Sequence, residues 1–176
     1  DNAAREPELI DLCLFLVAMG AEIEGIGTSR LRITGVGASE LASCNHETVP
    51  DRIQAATYMA ACAVSGGEID LLNAKVDHMQ MVLSRFRDMG LGLGQLPYGI
   101  RVTSEGRLRA TDVATLQYPG IATDYKPLII TMLSVADGVA IVTENLYPGR
   151  FKYVEELQRL GADIRTNGHH AVIRGV

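Results

Sequence analysis

Apolar and polar positions alternate along this chain with two different periods, and the places where the period changes mark its elements. Stretches with helical spacing end at Met-Gly or Leu-Gly, at Gly20, Gly90 and Gly161, which lie 70 and 71 residues apart. Glycine suits the left-handed residue just past a helix end. After each glycine the period shortens to two and predicts a hairpin. The first pairs 21–26 with 30–34 around Gly27-Thr28-Ser29. The second pairs 91–96 with 100–103 around Pro97-Tyr98-Gly99, and the third pairs 162–166 with 171–174 around Asn167-Gly168-His169-His170.

Upstream of the second and third hairpins the likeness extends further. Asp51 opens an apolar helix over 53–64, closed by Ser65-Gly66-Gly67 and followed by a strand at 68–72. Thr123-Asp124 opens another that runs to about Ala136, closed by Asp137-Gly138 and followed by a strand at 139–143. A further strand is expected at 111–116. These two helices are apolar nearly all round, as a helix buried on most sides must be. Those after Asn73 and Gly149 carry a charged face. The sum is an α/β protein built from β-α-β-α-β-β units of about 70 residues, two complete and one represented by its rear part. Small and polar residues over 37–48 place the domain boundary there, giving domains at 1–48 and 49–176.

Composition narrows the function. With 47% hydrophobic residues, 5% aromatics and no Trp, the core is aliphatic. A net charge of −5 and the lack of a basic run disfavour binding to nucleic acid or to an anionic membrane. No apolar stretch approaches the ~20 residues that span a bilayer. Cys13, Cys44 and Cys62 follow no metal-ligand or disulfide spacing, which points to a reducing, cytoplasmic setting. Cys13 and Cys62 read as core residues and Cys44 as an exposed thiol in the connector. His169 and His170 share a hairpin tip, where a solvated turn outweighs a metal pair.

The candidate chemistry lies in two turn-rich segments that flank the apolar helix at 128–136, namely Gly120-Ile-Ala-Thr-Asp-Tyr-Lys-Pro127 and Thr143-Glu-Asn-Leu-Tyr-Pro-Gly-Arg-Phe151. Asp124 stands at a helix start, where a carboxylate serves as an N-cap or as a reactive group. Asp51 occupies the corresponding place one unit earlier. Arg150 precedes a helix, a position that disfavours a cation unless an anionic ligand, or a salt bridge to Glu144 or Glu155, compensates.

Several strings together resemble the UDP-N-acetylglucosamine 1-carboxyvinyltransferases, a family of enolpyruvyl transferases. They are Asn2-Ala-Ala-Arg-Glu-Pro-Glu8, Pro50-Asp-Arg-Ile53, Thr123-Asp124, Ile141-Val-Thr-Glu-Asn145, Arg150-Phe-Lys-Tyr-Val-Glu-Glu-Leu157 and His169-His-Ala-Val-Ile-Arg-Gly-Val176. The resemblance covers essentially the whole chain and implies the enolpyruvyl-transferase fold, an inverse α/β barrel with helices inside its sheets. It also implies transfer of the enolpyruvyl group of phosphoenolpyruvate to the 3-hydroxyl of UDP-N-acetylglucosamine, in the bacterial cytoplasm, as the first committed step of peptidoglycan synthesis. Phosphoenolpyruvate would be a co-substrate, with no metal or other cofactor.

By the same resemblance Asp124 is the base for the sugar hydroxyl, Arg150 matches a substrate-binding arginine of the same cleft, and Leu146 matches an aliphatic position beside the bound sugar nucleotide. Arg52 matches an interdomain arginine and Glu6 a glutamate of the cleft, both as substrate-binding candidates. The family's Cys proton donor and its other phosphoenolpyruvate-binding residues have no match, so the chain is expected to be a middle portion of the enzyme, inactive without the remainder. Two alternatives are a transferase for another acceptor, such as uridine monophosphate, and a non-catalytic repeat module.

Overall fold

A computed structural model describes all residues, 1–176. The chain divides into two compact units, Asp1–Pro50 and Asp51–Val176. In the first, helix α1 (Pro7–Ala18) leads through Gly20, at φ 113°, into a hairpin of β1 (Glu22–Glu24) and β2 (Arg32–Thr34). The hairpin is shorter than the alternation predicts. Gly25 and Gly27 both take positive φ, and the Thr28 hydroxyl lies within hydrogen-bond distance of the carbonyls of Gly25 and Arg30, so the turn consumes residues expected in strands. The connector folds back on α1, where Asp11 accepts from the Val49 N–H at 3.1 Å and lies 3.0 Å from His46. Cys13 is buried as expected, but Cys44 is half-buried, its thiol facing the Phe15 carbonyl at 4.0 Å.

The second unit carries α2 (Arg52–Ser65), β3 (Gly67–Leu72), α3 (Gln80–Met89), β4 (Gly92–Leu96) and β5 (Gly99–Ser104). It continues with β6 (Val113–Ala114), α4 (Lys126–Ser134), β7 (Val139–Thr143), α5 (Tyr153–Arg159), β8 (Asp163–Asn167) and β9 (His170–Arg174). The order helix, strand, helix, strand, strand thus occurs twice, the second time behind the short strand β6. Strands β3-β5-β4 form one antiparallel sheet; β6-β7-β9-β8 form another, antiparallel except where β6 runs parallel to β7.

Alternation decides which side chains enter the core. Ile100, Val102 and Ser104 of β5, Ala140 and Val142 of β7, and Ala171 and Ile173 of β9 are buried against α2 and α4. Met59 on α2 and Ile129, Ile130 and Met132 on α4 are fully enclosed. Helix α3 buries Val82, Leu83, Phe86 and Met89 and exposes its charges, and Gly90 ends it at φ 110°. Cys62 is in the core. No helix is long and apolar enough to cross a membrane.

The starts of α2 and α4 differ. Asp51 caps α2, its Oδ1 accepting from the Ile53 and Gln54 N–H groups at 2.8 and 3.0 Å. Helix α4 instead begins one turn later than the sequence predicts, after a 3-10 turn at Thr123–Tyr125, and no side chain caps it. Pro127, near its N-terminus, needs no amide partner there. Counted sixteen positions back from the following strands, at Gly67 and Val139, the partner of Asp51 is Thr123 and not Asp124. Asp124 is therefore free of the capping duty that Asp51 performs. Replacing Asp51 with Ala is expected to cost about 1 kcal/mol in a denaturant titration, the usual value of an N-cap, whereas Asp124→Ala should leave stability nearly unchanged.

Candidate active site

Strand β7 alternates buried and exposed residues, and its period carries one step past the strand end: Ala140, Val142 and then Glu144 point inward. This puts a carboxylate in the core, where it must be fully hydrogen-bonded or neutral. Glu144 is fully buried, and both its oxygens are satisfied. Oε1 accepts from the Thr115 hydroxyl at 2.7 Å and from the Leu146 and Tyr147 N–H groups at 2.8 and 3.1 Å. Oε2 accepts from the Thr123 hydroxyl at 2.7 Å and pairs with Lys126 Nζ at 2.6 Å.

Lys126 is the first residue of α4, where the helix dipole repels a cation. Its side chain is as inaccessible as that of Glu144, both at 0% exposure. Its ammonium also donates to the Arg150 carbonyl at 2.7 Å and sits 4.1 Å from the centre of the Phe151 ring. Burial by itself would raise the Glu144 carboxyl, but hydrogen bonds from Lys126, Thr123, Thr115 and the Leu146 amide outweigh it and hold the pKa at about 2, against an ordinary 4.5. Burial pushes the Lys126 ammonium down, and the Glu144 charge opposes that.

Beside this buried pair lies a solvent-facing one. Arg150 Nη2 is 2.8 Å from Asp124 Oδ1, with the side chains 50% and 53% exposed. Arg150 Nη1 donates to Thr123 Oγ1 at 3.3 Å, and the guanidinium lies 5.7 Å from the centre of the Tyr147 ring. Asp124 is thus the partner of Arg150. Glu144, an alternative partner from the sequence, is committed to Lys126. Leu146 is half-buried in the loop that carries Arg150, its amide held by Glu144.

Arg52 is buried, with its guanidinium 5.4 and 5.6 Å from the ring centres of Tyr118 and Tyr125 and 3.5 Å from the Tyr125 hydroxyl. It reaches the Asp124 turn through the buried Tyr125. Glu6 belongs to the first compact unit, at the start of α1, and its Oε2 is enclosed without a hydrogen-bond partner. Asp124 and Arg150 therefore meet, Leu146 lies on the loop that carries Arg150, and Arg52 reaches the Asp124 turn through Tyr125.

Sequence reasoning placed Thr123, Lys126 and Glu144 within the two candidate segments, and Glu144 as a possible partner of Arg150, but it did not foresee the Glu144–Lys126 pair or single out Thr115. The available signal was a carboxylate at the inward step of an apolar strand together with a lysine at the head of an apolar helix, two charges that can be buried only as partners. His169 and His170 are occupied by the Glu144 carbonyl and the Thr143 hydroxyl at 3.0 and 2.9 Å. The outer face of the four-stranded sheet bears a cavity of about 750 Å³ walled by Met81, Ile141 and Val172. Its charged groups are spent, Asp112 on the Ile141 amide and Arg85 on Asp88, so the convergent chemistry lies at Asp124 and Arg150.

The architecture is that of the enolpyruvyl transferases. The solved structure of the enolpyruvyl transferase NikO from Streptomyces tendae superposes with a TM-score of 0.85 at 20% identity, over 99% of this chain and 41% of that one. EPSP synthase from Acinetobacter baumannii follows at a TM-score of 0.56 and 18% identity, over 97% and 39%. The chain belongs to the EPSP synthase (3-phosphoshikimate 1-carboxyvinyltransferase) family, which it matches over residues 1–176. Among curated relatives, the UDP-N-acetylglucosamine 1-carboxyvinyltransferase of Mycobacterium bovis is 46% identical over 175 residues, covering 99% of this chain and 41% of that protein. The Symbiobacterium thermophilum protein named UDP-N-acetylglucosamine 1-carboxyvinyltransferase 1 is 46% identical over 177 residues, covering 99% and 39%. The chain thus spans about two fifths of the length of these relatives.

The Glu144 site makes a pH-dependent contribution to stability. Its folded pKa lies below the unfolded value, so its stabilisation is present above pH 4.5 and is lost as pH falls towards about 2. In acid titrations of folding, Glu144→Gln should flatten the slope in that window. At neutral pH the same change should cost about 3–5 kcal/mol, because it leaves Lys126 buried without a counter-charge.

Proposed function

We propose that this chain forms the acceptor-binding wall of a UDP-N-acetylglucosamine 1-carboxyvinyltransferase. The observation that carries the proposal is the state of Asp124: a solvent-facing carboxylate at a helix approach, not used as a cap and held 2.8 Å from an equally exposed arginine. The names of the 46%-identical relatives supply the substrate.

In this reading Asp124 accepts the proton of the sugar 3-hydroxyl as its oxygen attacks C2 of phosphoenolpyruvate, while a general acid from the remainder of the transferase delivers a proton to C3. The adduct then loses phosphate from C2 and a proton from C3, which restores the double bond and leaves the enolpyruvyl ether. Arg150 aims the Asp124 carboxylate, and its exposed guanidinium edge offers a partner to the anionic sugar nucleotide. Leu146 gives the sugar an apolar edge, and Arg52 supports the turn through Tyr125. Glu6 is assigned to the cleft by resemblance to the family.

Residues 1–48 would close one domain of the enzyme and 49–176 supply two units of the other. The partners are UDP-N-acetylglucosamine, phosphoenolpyruvate and the remainder of the transferase, without which this segment would be inactive. Proton acceptance and anion binding by these side chains call for no cofactor. Three free cysteines fit a bacterial cytoplasm, where the product would enter peptidoglycan synthesis.

The test is Asp124→Ala in the complete transferase. Loss of a general base should lower kcat by about 10²- to 10⁴-fold with little effect on folding, and near-normal turnover would remove Asp124 from the mechanism. Product analysis with UDP-N-acetylglucosamine and uridine monophosphate in competition should give only the enolpyruvyl sugar nucleotide.

A further inference from the structure

We propose that Lys126 and Glu144 are positioning residues for the acceptor site: their buried pair fixes Arg150, and through it Asp124, although neither can touch the substrate. The proposal rests on the function proposed above and goes beyond it by assigning the geometry of the reactive pair to two enclosed residues.

The two oxygens of Glu144 serve two different segments. Oε1 gathers the loop that ends in Arg150, through the Leu146 and Tyr147 amides. Oε2 gathers the approach to α4 that contains Asp124, through Thr123 and Lys126. Lys126 then returns to the loop by donating to the Arg150 carbonyl at 2.7 Å, so the backbone of Arg150 is tied to the residue two positions past Asp124. The side chain is tied as well. Thr123 Oγ1 spends its hydrogen on Glu144 and so presents a lone pair to Arg150 Nη1 at 3.3 Å, while Nη2 takes Asp124. A chain of contacts thus runs from Glu144 through Thr123 and Arg150 to Asp124. An exposed arginine on a loop would otherwise sample many rotamers.

Folding alone does not require this device. The equivalent helix α2 starts with an ordinary Asp51 cap and no buried ion pair, and apolar replacements of a buried pair are often neutral or stabilising. The ion pair therefore contributes something other than the helix start, and its contacts lead to the exposed pair. With both side chains at 0% exposure, Lys126 and Glu144 are excluded from direct contact with substrate.

The experiment uses the complete transferase carrying Glu144→Asp, Lys126→Arg, or the charge-neutral double change Lys126→Met with Glu144→Gln. Thermal unfolding, kcat and KM for UDP-N-acetylglucosamine, and the Arg150 Nε–H exchange rate by ¹⁵N NMR are read for each. The double variant should fold. Its kcat should fall roughly 10- to 100-fold, as expected for a reactive group displaced by about an ångström. KM should change less than about threefold, and Arg150 exchange should quicken. Should the double variant not fold, Glu144→Asp and Lys126→Arg keep both charges but shift the contacts, and the same kcat loss and faster exchange are expected of them.

Wild-type kcat together with unchanged Arg150 exchange in the folded variants would overturn the proposal. Activity that falls only in proportion to the folded fraction, with Arg150 exchange unchanged within that fraction, would reduce the pair to a structural role and also overturn it. Asp124→Asn is assayed in parallel. Full activity there would defeat the catalytic reading itself, while an inactive Asp124→Asn beside fully active pair variants would defeat only the positioning role.

Discussion

A carboxylate held out of water at the end of β7 constrains its whole neighbourhood. Glu144 cannot stay ionised there unless each oxygen is hydrogen-bonded, and the surrounding chain is arranged to do so. Two hydroxyls, two backbone amides and one ammonium converge on it from three segments. Those segments are the strand-end threonine Thr115, the approach to α4 and the loop after β7. Because each donor is fixed by the same acceptor, the segments are fixed relative to one another. The solvent-facing Asp124–Arg150 pair is the outward consequence. Its geometry is inherited from groups that never meet solvent.

The internal repetition shows what is general to the unit and what is particular to the site. Both α2 and α4 lie between a turn-rich segment and an antiparallel strand; α4 is buried on most sides as its sequence predicts, whereas α2 buries one face and leaves Tyr58 and Val64 exposed on the other. The first begins in the ordinary way, with an aspartate oxygen on two amides. The second gives up the cap, places Lys126 where the helix dipole opposes it, and offsets that cost with Glu144. An arrangement that departs from local preference and needs compensation at a distance is the pattern expected of a functional site. Here the departure leaves a carboxylate at the helix approach with no structural duty.

Much of this was legible in the sequence because it depended on period and on glycine. The three helix ends at Gly20, Gly90 and Gly161, the strand at 139–143 and the hairpin after Gly161 follow from patterns that local geometry enforces. The same reasoning overran the first hairpin, where paired positive-φ glycines and the Thr28 hydroxyl form a wider turn. It also opened α4 at Thr123-Asp124, one turn too early, since a 3-10 turn and an α-helical turn have nearly the same apolar spacing. The Glu144–Lys126 pair was missed for a deeper reason. Charged residues near turns are normally solvated, and burying two of them is favourable only when they meet, which depends on tertiary approach between positions 18 residues apart. Family resemblance pointed to Asp124, Leu146 and Arg150, but not to the residues that hold them.

The most direct measurement is a crystal structure of the complete transferase with UDP-N-acetylglucosamine bound. The sugar 3-hydroxyl is expected within hydrogen-bond distance of the Asp124 carboxylate, with Arg150 still on Asp124 and Thr123, and with Glu144 still enclosed by Lys126, Thr115 and Thr123. A sugar hydroxyl bound away from Asp124, or a Glu144 that leaves Lys126 to contact the ligand, would contradict it.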